Sequence, residues 1–185
     1  MSGHTFLAVD LSDTERHALS AALAEASPGT QLPGKRPPPR NWHITLRFIG
    51  ECSDVDADRI IYEVSRDLVA TPGRVFVTGL GAFPRASRAS VLYAAIDDRD
   101  GLLDHLSGVC EAAVRNIGFA PEERPFVPHL TLSRLRPPND VRRLIDAFAP
   151  FRAPVDVTAI TLFRTHPSDG GIRYDPIDTV ALPSF

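Results

Sequence analysis

The sequence predicts an α+β fold: a bilobal, pseudo-two-fold duplicated unit with largely antiparallel sheets flanking a central groove and helices on the outside. Three observations predict it. Short segments of period-two apolar alternation are interleaved with amphipathic helical segments. The order helix, strand, helix, strand, strand occurs twice, with corresponding elements roughly 80 to 87 residues apart, as a duplicated supersecondary unit would leave behind. Finally, His43-Ile44-Thr45-Leu46 and His129-Leu130-Thr131-Leu132 share one form in a chain with only six histidines. One domain over residues 1–185 is expected, with lobe-forming repeats at about 12–96 and 99–182.

In order along the chain, residues 4–10 alternate as a strand. Ser12-Asp13-Thr14-Glu15 has the form of a capping box, opening a helix that Pro28-Gly29 ends. A Pro-rich basic loop, Lys35-Arg36-Pro37-Pro38-Pro39-Arg40, leads into a strand at about Trp42 to Ile49. Ser53 or Asp54 starts a helix running to about Ala70. Strands follow at about Arg74 to Leu80 and Ala89 to Ile96. The order then restarts with a helix from about Gly101 to Asn116, closed by Gly118. The second motif strand is expected from Pro128 to Leu135, then a short helix capped by Asn139 or Asp140 and ending near Phe148. Strands at about Ala153 to Arg164 and Ile172 to Leu182 flank the turn Ser168-Asp169-Gly170-Gly171.

Charge and composition narrow the function classes. With a formal net charge of −3, 23% charged and 8% aromatic residues, no global positive field draws the chain to nucleic acid, so any RNA or phosphate contact must be local. Cys52 and Cys110 show no CxxC spacing, which favours reduced thiols and a cytoplasmic setting. From Met1 to Asp10 there is no basic region followed by a long apolar stretch, and no run approaches a membrane span.

The motif chemistry follows from strand geometry. Side chains two apart share a face, so His43 points with Thr45 and His129 with Thr131, while Ile44, Leu46, Leu130 and Leu132 anchor the strands in a core. Imidazole, with an ordinary pKa of about 6.5, both takes and gives a proton near neutrality. Two facing each other make an acid and a base suited to displacement at phosphorus, each role typically worth about 10² to 10⁴ in rate. Thr45 and Thr131 supply donors for the non-bridging oxygens, where charge gathers. No HxH or HExxH pattern and no clustered Asp/Glu with His lies near either motif, so no metal and no cofactor is expected.

The longer segments around the motifs, Asn41-Trp42-His43-Ile44-Thr45-Leu46-Arg47-Phe48-Ile49-Gly50-Glu51 and Arg124-Pro125-Phe126-Val127-Pro128-His129-Leu130-Thr131-Leu132-Ser133-Arg134, together with Gly81-Ala82-Phe83-Pro84, resemble the two-histidine (2H) phosphoesterase superfamily. The resemblance is to its bacterial RNA 2′,3′-cyclic phosphodiesterase branch, also called LigT-like or 2′-5′ RNA ligases, and spans nearly the whole chain. It implies hydrolysis of an RNA 2′,3′-cyclic phosphate to a 2′-phosphomonoester, with His43 as proton donor and His129 as proton acceptor. It also implies a phosphate contact from Arg134 and base stacking on Phe48. The partner so implied is RNA with a cyclic phosphate end. A monomer, with no membrane and no metal, is the accompanying expectation.

Parity complicates two of these residues. An offset of five reverses direction on a regular strand, so Phe48 and Arg134 reach the groove only if the strands end, twist or bulge before them. By the same parity Arg47 is the safer cleft residue. Tyr174 is a candidate substrate contact whose ordinary role is packing, and Phe83, Phe126 and Phe163 read most simply as core. Lys35, Arg36 and Arg40 are candidates for gripping phosphate at the groove lip, against the ordinary reading of a stiff solvated loop. His4, His17, His105 and His166 read as solvated. The alternatives are a cyclic phosphodiesterase acting on a small nucleotide or ADP-ribose cyclic phosphate, and a non-catalytic RNA-end-binding module. A bell-shaped pH profile centred near neutrality is expected of an enzyme.

Overall fold

The computed structural model describes residues 3–169 and 171–184. Gly170 of the predicted turn and Met1 and Ser2 of the N-terminal reading lie outside the described residues. Strand β1 (His4–Asp10) is followed by helix α1 (Asp13–Ala26), strand β2 (His43–Glu51), helix α2 (Asp54–Asp67) and strand β3 (Gly73–Phe83). Strand β4 (Ala89–Asp97), helix α3 (Leu102–Asn116), strand β5 (His129–Asn139) and helix α4 (Arg142–Ala147) follow, then strands β6 (Ala153–Val157), β7 (Ala159–Ser168) and β8 (Gly171–Ala181). The capping box at α1 is present: the Ser12 hydroxyl accepts from the Glu15 amide while the Ser12 amide donates to the Glu15 carboxylate. At α2 the Ser53 hydroxyl accepts from the Asp56 amide, without the reciprocal bond. At α4 the expected side-chain cap is absent; Val141 holds the N-cap position and Asp140 instead pairs with Arg142.

Two four-stranded sheets form, in the orders β2-β1-β7-β8 and β5-β4-β3-β6, and every strand pairing is antiparallel. The motif strands β2 and β5 are thus edge strands of different sheets, and they meet each other. The sheets do not coincide with stretches 12–96 and 99–182, because each draws strands from both halves. The first residues of β1 and β4 (His4, Ala89), β2 and β5 (His43, His129), and β3 and β7 (Gly73, Ala159) recur at a spacing near 86. The repeated unit is therefore β-α-β-α-β with its last strand exchanged: β3 lies against β4, and β7 lies against β1. The predicted single strand from Ala153 to Arg164 is accordingly two strands in different sheets, broken at Thr158, whose carbonyl accepts from the Leu182 amide.

The main core lies between the sheets and their helices, where Leu7, Val9, Ile44, Leu130, Ile160 and Leu162 meet Leu19 of α1, Ile60 and Val64 of α2, and Leu103 and Leu106 of α3. A smaller cluster of Phe6, Ala8 and Phe163, with Tyr174 against it, occupies the opposite face of the first sheet. The alternation of Phe6 and Ala8 with Leu7 and Val9 along β1 makes that division. The second face, carrying the small aromatic cluster, turns toward the groove. No described helix is long and apolar enough to cross a membrane.

Candidate active site

The two motif strands break their alternation at the same place. Along β2, Ala8 pairs with Thr45 and Leu7 with Arg47, leaving Leu46 as an extra residue; Leu46 and Arg47 are both buried. Along β5, Tyr93 pairs with Thr131 and Leu92 with Ser133, leaving Leu132 extra; Leu132 and Ser133 are again both buried. A bulge of this kind shifts the parity of everything after it. Phe48, 48% exposed, and Arg134 therefore emerge on the side of their histidines and line the groove.

Each bulge is held from outside its own sheet, and by different partners. On β2, the Ser107 hydroxyl of α3 donates to the Leu46 carbonyl at 2.9 Å. One turn on, Glu111 takes the Arg47 Nε, while the Arg47 Nη1 donates to the Phe48 carbonyl and Nη2 to the Ala120 carbonyl at 2.6 Å. Arg47, expected as a cleft residue, does border the groove, and its buried guanidinium also clamps β2 to α3 and the following loop. On β5, the Ser133 hydroxyl donates to the Pro33 carbonyl, and Lys35 and Arg134 exchange backbone hydrogen bonds of 2.9 Å each. Gly34 makes that approach possible: at φ +84° its Cβ would lie 2.5 Å from the Arg134 oxygen. The basic loop is therefore an edge support for β5. Lys35, Arg36 and Arg40 are exposed, and of residues 35–40 only Pro37 borders the groove.

Both imidazoles are oriented by the same backbone device. His43 Nδ1 lies 2.8 Å from the Asn41 carbonyl and His129 Nδ1 lies 2.7 Å from the Val127 carbonyl. A carbonyl only accepts, so each Nδ1 carries the proton and each Nε2 is the nitrogen left for chemistry. In the neutral state the Thr45 hydroxyl donates to His43 Nε2 across 3.0 Å. Asn41, itself buried, donates its side-chain amide to the Ile172 carbonyl at 2.8 Å, tying the β7–β8 hairpin to the first histidine.

The surroundings separate the two. Rings of Phe6, Tyr174 and Phe163 lie 4.7, 5.1 and 6.4 Å from the His43 ring, and burial there pushes the His43 pKa down to about 4, with the nearby His129 and Arg134 adding to the effect. His129 has Phe83 at 5.0 Å and Tyr93 at 5.4 Å; burial lowers its pKa as well, assisted by Arg134. Arg134 thus acts electrostatically on both imidazoles. The groove containing them, about 930 Å³ in volume, is bordered by Thr45, Thr131, Phe48, Arg134 and Tyr174 and by Ser107, Gly108 and Glu111 of α3.

Several groove residues were not marked by the sequence. Phe83 and Phe126, read as core, border the groove, and Phe83 packs edge-on to His129. Asn41 reaches the site beside His43 in sequence, Tyr93 through the pairing of β4 with β5, and Ser107 through the packing of α3 on β2. The Gly81-x-Phe83-Pro84 segment carried one usable signal, because a Cβ at Gly81 would lie 2.4 Å from the Tyr93 ring. Trp42 is buried, as alternation requires. Among the described residues no group of three or more His, Cys, Asp or Glu is arranged to hold a metal ion.

Comparison with known proteins agrees with this geometry. An RNA 2′,3′-cyclic phosphodiesterase of Aeropyrum pernix is 34% identical over 125 residues, covering 68% of this chain and 70% of the relative. The protein of the same name from Methanothermobacter thermautotrophicus is 26% identical over 188 residues, 98% of this chain and 100% of its own. The structure of Escherichia coli LigT complexed with 3′-AMP shares the fold across 100% of both chains, with a TM-score of 0.78 at 23% identity. A Thermus thermophilus protein shares it with a TM-score of 0.76 at 25% identity, over 97% of each chain. Residues 43–169, from the first motif histidine to the β7–β8 turn, match the 2′-5′ RNA ligase superfamily, and the chain belongs to that family of two-histidine phosphoesterases.

Proposed function

We propose that this enzyme hydrolyses ribose 2′,3′-cyclic phosphates at RNA ends to 2′-phosphomonoesters, with His43 as general acid and His129 as general base. The observation that carries the reading is the pair of Nε2 atoms, each freed by a backbone carbonyl holding its Nδ1, opening into one groove. His129 Nε2 takes a proton from water as the water oxygen bonds to phosphorus. The P–O3′ bond breaks, and His43 Nε2 gives its proton to O3′, leaving a 3′-hydroxyl and a 2′-phosphate. Thr45, Thr131 and Arg134 supply donors for the non-bridging oxygens. Phe48 offers its exposed ring to a base.

The depressed basicity of both imidazoles fits an anionic substrate. In the free enzyme His43 is neutral at pH 7, and a phosphodiester anion entering between the two rings favours its protonation. Substrate and proton therefore arrive together. A 5′-hydroxyl RNA end in place of water would join ends through a 2′-5′ linkage with the same pair, a reading favoured by the family to which the chain belongs. Buried, unpaired Cys52 and Cys110 suit a reducing, cytoplasmic setting. The enzyme is taken as a metal-independent monomer.

The test is to incubate an RNA oligomer ending in a 2′,3′-cyclic phosphate with the protein in excess EDTA and identify the end group. Conversion to a 2′-phosphate is expected. Failure of the wild type to open the ring overturns the activity. Opening that depends on added metal overturns metal independence, and opening that survives in both His43→Ala and His129→Ala overturns the site. Turnover of small cyclic nucleotides with none of RNA moves the substrate to that class.

A further inference from the structure

Strand β8 gives the first sheet an outer wall that the second sheet lacks. It pairs along β7 from Ala159 to Ser168, whereas β6, its counterpart, covers β3 only from Gly73 to Val77. Among the described residues, the part of β3 that reaches the groove, ending in Phe83, has no outer strand beside it. Tyr174, opposite Thr165 on β7, stands in the extra wall. Its ring is half-buried, edge-on to Phe6 at 5.3 Å and to His43 at 5.1 Å. The Asn41 side chain, bonded two residues earlier on β8, fixes that stretch against the residue whose carbonyl orients His43.

The hydroxyl is the part that packing does not explain. Among the described residues it has no protein hydrogen-bond partner, and it is not one of the buried polar atoms left unpaired, so it opens into the groove that Tyr174 borders. Arg134 stands near enough to act electrostatically on it, while burial keeps it protonated. A protonated phenol beside a guanidinium and an imidazole is a donor directed at an anion.

We propose that the Tyr174 hydroxyl is a fourth phosphate ligand beside Thr45, Thr131 and Arg134, donating a hydrogen bond to the non-bridging oxygen that Arg134 also contacts, so that the duplicated half-sites are completed by a residue outside the duplicated unit. The proposal rests on the reading that the groove holds a cyclic phosphate. It assigns Tyr174 to binding and transition-state stabilisation rather than proton transfer, since a phenol with a raised pKa keeps its proton through the working range.

Tyr174→Phe keeps the ring, the wall and the packing on Phe6 and removes only the donor. A hydrogen bond to a charged group predicts a loss of roughly ten- to a hundred-fold in kcat/KM for ring opening, with a matching loss of affinity for inorganic phosphate. The His43 imidazole titration of the free protein, read by NMR, should stay where it was. Tyr174→Phe equal to wild type in both kcat/KM and phosphate affinity overturns the proposal and leaves Tyr174 as packing. A shifted His43 titration that accounts for the lost activity overturns it too, because the ring has then moved. If the wild type opens no cyclic phosphate but Tyr174→Phe still weakens inorganic phosphate binding, the functional reading fails and the ligand assignment stands.

Discussion

The half-site on β2 and the half-site on β5 share a blueprint and differ in their walls. Each offers a histidine held through Nδ1 by the carbonyl two residues before it, a threonine two residues on, and a bulge that brings the fifth residue back to the groove. Yet the fourth residue is the clamped Arg47 on one and the buried Ser133 on the other, and the fifth is an aromatic ring on one and a guanidinium on the other. His43 sits among Phe6, Phe163 and Tyr174; His129 sits at the less enclosed end, beside Phe83 and Tyr93. Duplication supplies two like imidazoles, and the unlike walls make them chemically distinct, as the proposed acid and base roles require.

The largest expected effect comes from breaking either imidazole. His43→Ala and His129→Ala should each lower kcat by about 10² to 10⁴. A cyclic ester with sulfur at the 3′ bridging position, whose thiolate leaves without a proton, sharpens the comparison. It should restore much of the rate to His43→Ala and little to His129→Ala; the reverse pattern would exchange the acid and base assignments.

Next in size is the clamp, present on one side only. Arg47→Met leaves Glu111 charged and the Phe48 carbonyl without its donor, and removing one partner of a buried pair typically costs about 3 to 5 kcal/mol. With Glu111 retaining some solvent contact, about 3 kcal/mol is expected in a denaturant melt, with inorganic phosphate affinity unchanged. Lost phosphate affinity at unchanged stability would make Arg47 a phosphate ligand instead of a clamp. Phe48→Ala, on the same strand, should instead weaken KM for RNA by about five- to a hundred-fold, as loss of one stacked base predicts, and spare a small cyclic phosphate that lacks the base. Equal losses on both substrates would remove Phe48 from base recognition.

Much of this was legible in the sequence because alternation and caps are local. Ser12-x-x-Glu15, the two motif strands and the pairing of His with Thr are set by neighbours within four residues. The bulge was legible indirectly, from the conflict between parity and the offset of five. Parity placed Arg47 at the groove but did not show its clamp, since local alternation cannot reveal that Leu46 is the extra residue until Ser107, from a distant helix, donates to its carbonyl. The lobe boundaries failed for a related reason. Nothing in residues 153–164 distinguishes one strand from two, because β6 alternates and the apolar run of β7 follows it with only Thr158 between; only pairing to β3 and to β1 separates them. Phe83 looked like core because an aromatic bordering a groove and one filling a core carry the same local pattern.

The effect that appears only in acid is the one that reads the asymmetry of the walls directly. Above pH 6.5 His43 is neutral folded and unfolded, so its burial leaves stability independent of pH there. As pH falls below 6.5 the unfolded chain takes the proton while the folded one does not until about pH 4, so stability is lost across that window, by up to about 3 kcal/mol. His43→Gln should therefore flatten the stability curve between pH 6.5 and 4 relative to wild type. His129→Gln should flatten it in the same direction and less, if the enclosure by Phe6, Phe163 and Tyr174 is what sets the first histidine apart; equal flattening would make the walls irrelevant. The same depression displaces the optimum of kcat/KM, which reports the free enzyme, to the acid side of 6.5 rather than the neutrality a pair of ordinary imidazoles would give. Bound phosphate opposes it, so the kcat profile should lie at higher pH than the kcat/KM profile, and phosphate binding at pH 7 should take up protons, measurable as a dependence of binding heat on buffer ionisation enthalpy. Binding without proton uptake would mean that His43 meets its substrate neutral, and a neutral imidazole with Nδ1 committed to Asn41 has no proton to give to O3′.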